Sequence, residues 1–233
     1  MICLGIESAG KTAGVAIWKE DAPLYEATLS AGFTHSESLL EMIQTALTAA
    51  RLTAADIDLW AVCAGPGSFT GLRIGLALVK GLAFATGAPC VGVSTLEALA
   101  WCAGPAATVV PALDARRGQV YAAAFQAGQP PRRLLEDAAR DPASLADFVE
   151  SCKKPLVFVG DGAEICYNRY KDVPGVARLP GFLAASRAAG VCLAAMEQAR
   201  HGNTQSGEQL RPQYLRLSQA ERERAEKLAA KPQ

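Results

Sequence analysis

The stretch that most constrains this chain is Gly65-Pro66-Gly67-Ser68-Phe69-Thr70-Gly71-Leu72-Arg73-Ile74-Gly75. It follows the apolar run Leu59-Trp60-Ala61-Val62-Cys63-Ala64, short enough to be a buried strand. It leads into residues 72–86, too long for a strand and spaced like a helix. Three glycines and a proline in seven residues make the join, so the backbone there needs positive φ, close approach, or both. Bare amides at a helix N-terminus can hold a phosphate. Yet Gly65, Gly67 and Gly71 leave one residue too many for the dinucleotide pattern G-x-G-x-x-G. Leu72-Arg73 stands where a Walker loop has Lys-Ser/Thr. Two readings stay open on residue types alone: an uncommon phosphate cradle, or a tight turn that packs a helix on a sheet.

The other segments repeat this strand–turn–helix grammar. Residues 2–7, 13–18 and 24–30 read as strands, and Thr34 with Glu37 forms a capping box opening a helix through Leu39, Leu40, Ile43 and Leu47. After the glycine block and its helix, residues 89–93 are a short strand, and Ser94 with Glu97 caps another helix. A second unit begins after Gly104-Pro105, with strands at 108–113, 119–125 and 156–159, a short helix started by Asp141-Pro142, and a helix over 182–200. The expected organisation is a first unit over 1–104, a second over 105–210, and a C-terminal segment with a charged tail helix over 211–233. The 233 residues carry 23 basic and 23 acidic side chains. A protein that grips nucleic acid alone usually carries a basic excess, and this one has none. Arg116-Arg117 and Arg132-Arg133 are only local clusters, so weak nucleic-acid binding by the lone chain is the expectation. The opening residues lack a basic n-region and carry Glu7, which does not predict a signal peptide. Arg73 and Lys80 interrupt the best candidate membrane span. Seven cysteines without a C-x-x-C pair suit a reducing compartment, the cytoplasm.

Several blocks together resemble the TsaB family, also called YeaZ: Leu4-Gly5-Ile6-Glu7-Ser8, the 65–75 glycine block, Gly92-Val93-Ser94-Thr95-Leu96-Glu97-Ala98-Leu99-Ala100, Asp114-Ala115-Arg116-Arg117-Gly118-Gln119-Val120-Tyr121, and Pro212-Gln213-Tyr214-Leu215-Arg216. The resemblance implies an α/β actin-like ATPase fold of two β-β-β-α-β-α units with mixed sheets. It implies a non-catalytic subunit in making N6-threonylcarbamoyladenosine at position 37 of tRNAs that read codons beginning with adenine. That subunit pairs with the catalytic paralogue TsaD and works with the ATPase TsaE. It forms a homodimer when TsaD is absent, meets tRNA only inside the complex, and has no resident cofactor and no membrane role. The competing function is a stand-alone actin-like ATPase or phosphotransferase, or a peptidase.

The residues weigh between these readings. Glu7 ends the first strand where actin-like kinases keep an acid near the nucleotide's metal, so it is either a vestigial ligand or a structural carboxylate. The paralogue carries a His-x-x-x-His metal pair where this chain has Thr95 and Leu99, and neither replaces imidazole. Only His35 and His201 occur in the chain, in different units. Ser68 and Thr70 are nucleophiles in principle, with no histidine near them in sequence; their alternative role is to bond the loop's own amides. Gly160 and Gly162 flank Asp161 in a turn resembling the second glycine turn of actin-like ATPases, which is either a vestigial nucleotide contact or one of the glycine turns common in proteins. Finally, Leu72, Leu76, Val79 and Ala83 give one apolar stripe, while Ile74, Leu78, Leu82 and Ala85 extend it around the helix. Such a helix needs two covers. The expected partner interface is Leu39, Met42, Ile43, Ala46, Gly71, Ile74, Gly75, Leu78 and Leu82.

Overall fold

The computed structural model describes residues 1–30, 35–104 and 106–216. Strands β1 (Ile2–Glu7), β2 (Ala13–Lys19) and β3 (Ala22–Leu29) form an antiparallel meander, followed by helix α1 (His35–Ala50). Strand β4 (Leu59–Gly65) then runs parallel to β1, helix α2 (Phe69–Thr86) follows, and β5 (Cys90–Ser94) runs parallel to β4. Helix α3 (Thr95–Trp101) closes the unit, with Ser94 accepting the Glu97 amide. The sheet order is β3-β2-β1-β4-β5.

The second unit repeats the first. Strands β6 (Thr108–Arg116), β7 (Gln119–Gln126) and β8 (Arg132–Arg140) make the meander. Helix α4 (Ala146–Ser151), strand β9 (Leu156–Val159), helix α5 (Ala163–Tyr170) and strand β10 (Val176–Arg178) follow. The sheet order, β8-β7-β6-β9-β10, is the counterpart of the first. Two mixed sheets of this topology are the α/β actin-like fold that the motifs imply. The sequence reading has no strand at β8 or β10. Both lie at sheet edges, and β8 is written Arg-Arg-Leu-Leu-Glu-Asp-Ala-Ala-Arg, the charged composition that blunts an edge and erases apolar alternation.

The helix expected over 182–200 is two pieces, α6 (Gly181–Ala184) and α7 (Ala188–Arg200). Ala185 and Arg187 between them are extended. Although α7 follows the second sheet in sequence, it packs on β1 and β2 of the first, beside α3. Glycine makes this possible, since a Cβ at Gly5 would sit 2.7 Å from Cys192 Sγ and one at Gly190 would sit 2.1 Å from the Ala98 carbonyl. Conversely α3 packs on β6 and β7. Helices α1 and α2 touch each other and pack on β2, β3 and β4, on the sheet face opposite α3 and α7. Thr34 of the expected capping box and the expected tail helix lie outside the described residues.

Candidate functional site

The glycine block resolves into close packing. Ser68 is the N-cap of α2 and accepts the Gly71 amide at 3.3 Å. Its own amide donates to the Ala9 carbonyl at 2.8 Å. A Cβ at Gly67 would sit 2.6 Å from the Ala9 carbonyl, one at Gly71 2.0 Å from the Ser8 carbonyl, and one at Gly75 2.3 Å from Ser8 Oγ. The first turns of α2 therefore lie directly on the turn after β1, so what approaches them is the chain's own Ser8, its carbonyl at Gly71 and its side chain at Gly75. Gly65, at φ +132°, admits the Gln213 carbonyl, 2.2 Å from where its Cβ would be. The Gln213 amide donates to the Ala64 carbonyl at 2.7 Å. Tyr214 stacks on Phe69 with centroids 4.2 Å apart, and Arg73 Nε donates to its hydroxyl at 2.9 Å. Residues 211–216 thus form a strap across the block, a partner of the glycines that spacing alone does not show.

Beneath the block, Glu7 is fully buried. Its Oε1 accepts the amides of Ala9 at 2.7 Å and Gly10 at 3.2 Å. Its Oε2 accepts the Cys63 thiol at 2.6 Å and the Ser186 hydroxyl at 2.8 Å. Burial first, and the Glu7 charge second, push the Cys63 thiol well above its ordinary value. Neutral Cys63 is therefore the donor and Glu7 the acceptor. The break between α6 and α7 delivers Ser186 to this carboxylate, so sequence separation of 179 residues hid it.

Thr95 and Leu99 are both buried. Leu99 belongs to the apolar cluster of Leu96, Val109, Leu113 and Val159, and its Cδ1 lies 3.3 Å from where a Gly160 Cβ would be. His35 begins α1, while exposed His201 follows α7 on the other face of the sheet and pairs with Glu197 at 3.1 Å. Among the described residues no three His, Cys, Asp or Glu side chains gather as metal ligands. Gly160, at φ +100°, and Gly162 pack on the Ala112 carbonyl and on the Leu113–Asp114 backbone. Asp161 accepts the Asp114 amide at 2.9 Å. Gly160 and Asp161 also line a cleft of about 520 Å³, with Lys11, Thr12, Thr28, Glu164 and Arg178 around it. The structure brings Gly160 to this cleft but leaves Glu7 in the core, both carboxylate oxygens engaged.

The exposed residues of α1 are mostly polar, Glu41, Gln44, Thr45 and Thr48 with Leu40 and Ala49 among them, whereas those of α2 include Ala77, Gly81, Phe84 and Ala85. Leu72, Leu76, Val79 and Ala83 are buried against the sheet as their spacing predicts. Of the nine residues expected at the interface, Leu39, Ile43, Ala46, Gly71 and Gly75 are buried in the chain's own core. Met42, Ile74, Leu78 and Leu82 are half-buried and border the outer surface. Leu40 is 49% exposed and Phe84, which sequence reasoning passed over, is 84% exposed. Phe84 falls outside both stripes of the helix, so only its exposure marks it. Helix α2 is long and apolar enough to span a membrane by length and composition, but one face packs on its own sheet.

The comparisons with known proteins agree with this geometry. The family model described as "TsaD: tRNA N6-adenosine threonylcarbamoyltransferase" matches residues 30–224. A Bacillus subtilis (strain 168) protein named "tRNA threonylcarbamoyladenosine biosynthesis protein TsaB" is 32% identical over 226 residues, covering 95% of this chain and 96% of that one. Among solved structures, YeaZ from Pseudomonas aeruginosa superposes with a TM-score of 0.78 at 27% identity, over 92% of this chain and 99% of that one. The ROK hexokinase of Thermus thermophilus, at TM-score 0.51 and 14% identity over 86% of this chain and 100% of that one, shares the fold alone. With sequence and fold both matching over nearly the full length of their counterparts, the chain belongs to the TsaB (YeaZ) family.

Proposed function

We propose that this chain is the non-catalytic subunit for threonylcarbamoyl transfer to N6 of adenosine 37 in tRNAs that read codons beginning with adenine. It acts in the cytoplasm by binding and activating a TsaD-family transferase, together with a TsaE-type ATPase. The observation that carries the proposal is helix α2, whose buried stripe rests on its own sheet while exposed Phe84 and half-buried Ile74, Leu78 and Leu82 lie on its other sides, with α1 and its exposed Leu40 packed next to it. A largely apolar helix already resting on its own sheet offers its remaining surface, together with that of α1, to two helices of a partner. The TsaD-type family match extends over that pair and makes a structurally related partner the natural cover; a second copy of this chain takes the same place when TsaD is absent. The engagement of Glu7 and the apolar setting of Leu99 support a supporting rather than a chemical role.

Phe84→Glu is the direct test, because a residue 84% exposed can be changed without unsettling the core. The variant should keep its thermal midpoint, while association with the TsaD-family partner weakens at least tenfold, since a carboxylate would be desolvated at the seam. Leu78→Glu should do the same with some loss of monomer stability. Unchanged affinity in a folded Phe84→Glu protein would place the interface elsewhere.

A further inference from the structure

We propose that the tip of the β6–β7 hairpin, with the end of the strap beside it, is a contact surface for the phosphate backbone of RNA. The inference rests on the proposed role in tRNA modification and adds the surface by which this chain itself would touch the tRNA. Three arginines gather there from two segments, and a fourth, on β8, flanks them with its guanidinium turned along the strand away from the tip. Arg116 and Arg117 occupy the tip, and both are exposed. Arg140 on β8 lies opposite Val120, three residues beyond Arg117. Arg216, on the strap, donates to the Ala115 carbonyl at 3.0 Å.

Two features separate this group from a chance cluster of surface charge. The first is how the guanidiniums are held. Arg140 donates to the carbonyls of Glu136 at 3.0 Å and Ala122 at 3.5 Å, and Arg216 to that of Ala115. Carbonyl acceptors position these groups without cancelling their charge. Among the described residues no carboxylate lies within 4.0 Å of Arg117, Arg140 or Arg216, and Arg116 meets Asp114 only at 3.8 Å. The second is the backbone. Arg116 pairs with Gln119 across the turn, leaving Arg117 and Gly118 as its two central residues, at φ +56° and +73°. That geometry ordinarily calls for Asn-Gly. Arg116, at φ +66°, is left-handed as well. Two successive non-glycine residues in this region carry a local strain that appears chiefly where a site needs their side chains. The turn is held in place from below, Asp114 accepting the Arg116 amide at 2.7 Å and Asp161 accepting the Asp114 amide. Arginine forks match phosphate oxygens in pairs, which suits a polyanionic backbone. A patch of three with a fourth beside it, on a chain of zero formal charge, adds affinity within a complex without giving the lone chain a strong grip.

The test uses this chain in complex with its TsaD-family partner, measuring the affinity for intact tRNA across a series of salt concentrations. The double variant Arg116→Asn, Arg117→Asn suits the left-handed backbone, so the thermal midpoint should stay level or rise. Its tRNA affinity should fall about tenfold or more near physiological salt. The slope of log affinity against log salt should flatten by roughly 0.7 to 0.9 for each phosphate that is no longer neutralised. Arg116→Lys, Arg117→Lys should retain most of the slope. Arg216→Gln, on the strap and outside the strained turn itself, should flatten it by one such step and provides the same reading if the tip variant misfolds. An unchanged affinity and slope in the folded Asn variant, with the unsubstituted complex binding tRNA normally, would overturn the surface while leaving the proposed function intact. Weakened partner association with an unaltered salt slope for tRNA would also overturn it, and would make the patch a site for an acidic protein surface. If the unsubstituted complex does not bind tRNA, the proposed function and this inference fall together.

Discussion

Two donors converge on each oxygen of Glu7, and all four come from this chain. A carboxylate can accept all of them, whereas glutamine keeps one accepting oxygen and turns a donating NH2 toward the others. Glu7→Gln should therefore destabilise the fold by about 2–4 kcal/mol, the range for leaving buried donors unpaired beside a missing charge. Urea unfolding reads this directly. Below its melting transition the variant should still bind its partner and support full transfer in the complex. A well-folded Glu7→Gln protein that binds normally yet abolishes transfer would return Glu7 to the chemistry. Its position at the end of β1 was legible in the sequence. Ser186 was not, because only a break between two helices of the second unit carries that hydroxyl into the first.

At the scale of elements, α2 is held at its N-terminus from two sides. Ser8 and Ala9 press on its glycines from within, and the strap closes from outside through Gln213 and Tyr214. Tyr214→Ala removes the stack on Phe69 and the bond from Arg73, and should cost about 1–2 kcal/mol, given that its ring is partly solvated. Residues 211–216 should then be cut sooner by protease under native conditions, with the remaining chain intact. An unchanged cleavage pattern would mean that Gln213 and buried Leu210 hold the strap unaided. The double apolar character of α2 was readable from its 3.6-residue spacing. Spacing gives angles around a helix axis and not distances to other segments. It therefore could not tell that Gly71 and Gly75 face Ser8, or that Phe84 stands clear of the core.

Across the whole molecule, the units exchange helices, α7 covering the first sheet and α3 reaching the second. Polar groups cross the same join, Ser94 donating to Asp137 at 2.5 Å and Arg133 pairing with Asp137 and, at 3.7 Å, with Glu97. Thiols are enclosed as the layers close. Burial pushes Cys166 from 9.0 to about 12 and, with the nearby Glu26 charge adding to the rise and Arg187 opposing it, Cys102 from 9.0 to about 11. An acid whose pKa is higher when folded holds its proton after the unfolded chain has released it. Stability is therefore undiminished below about pH 9 and falls as pH rises from there toward the folded value, by about 1.4 kcal/mol per pH unit for each thiol. Unfolding midpoints measured from pH 8 to 11 should show this decline, and Cys166→Ala should make it shallower. An identical slope in the variant would assign the alkaline decline to other groups.

Sequence by itself determined the element order of the first unit, the doubly apolar α2, and the family. Each rests on local information: turn residues that tolerate few conformations, and apolar periods that match one type of element. Tertiary structure alone decided which glycines serve packing, what engages Glu7, and where α7 lies. These depend on pairings between segments distant in the chain, such as Gln213 with Ala64, Ser186 with Glu7 and Cys192 with the Cys3 carbonyl. A hydrogen-bond donor or a small side chain carries no mark of the distant group it will meet. That choice is made by burial, when the second unit sends α7 across to cover the bare face of the first sheet.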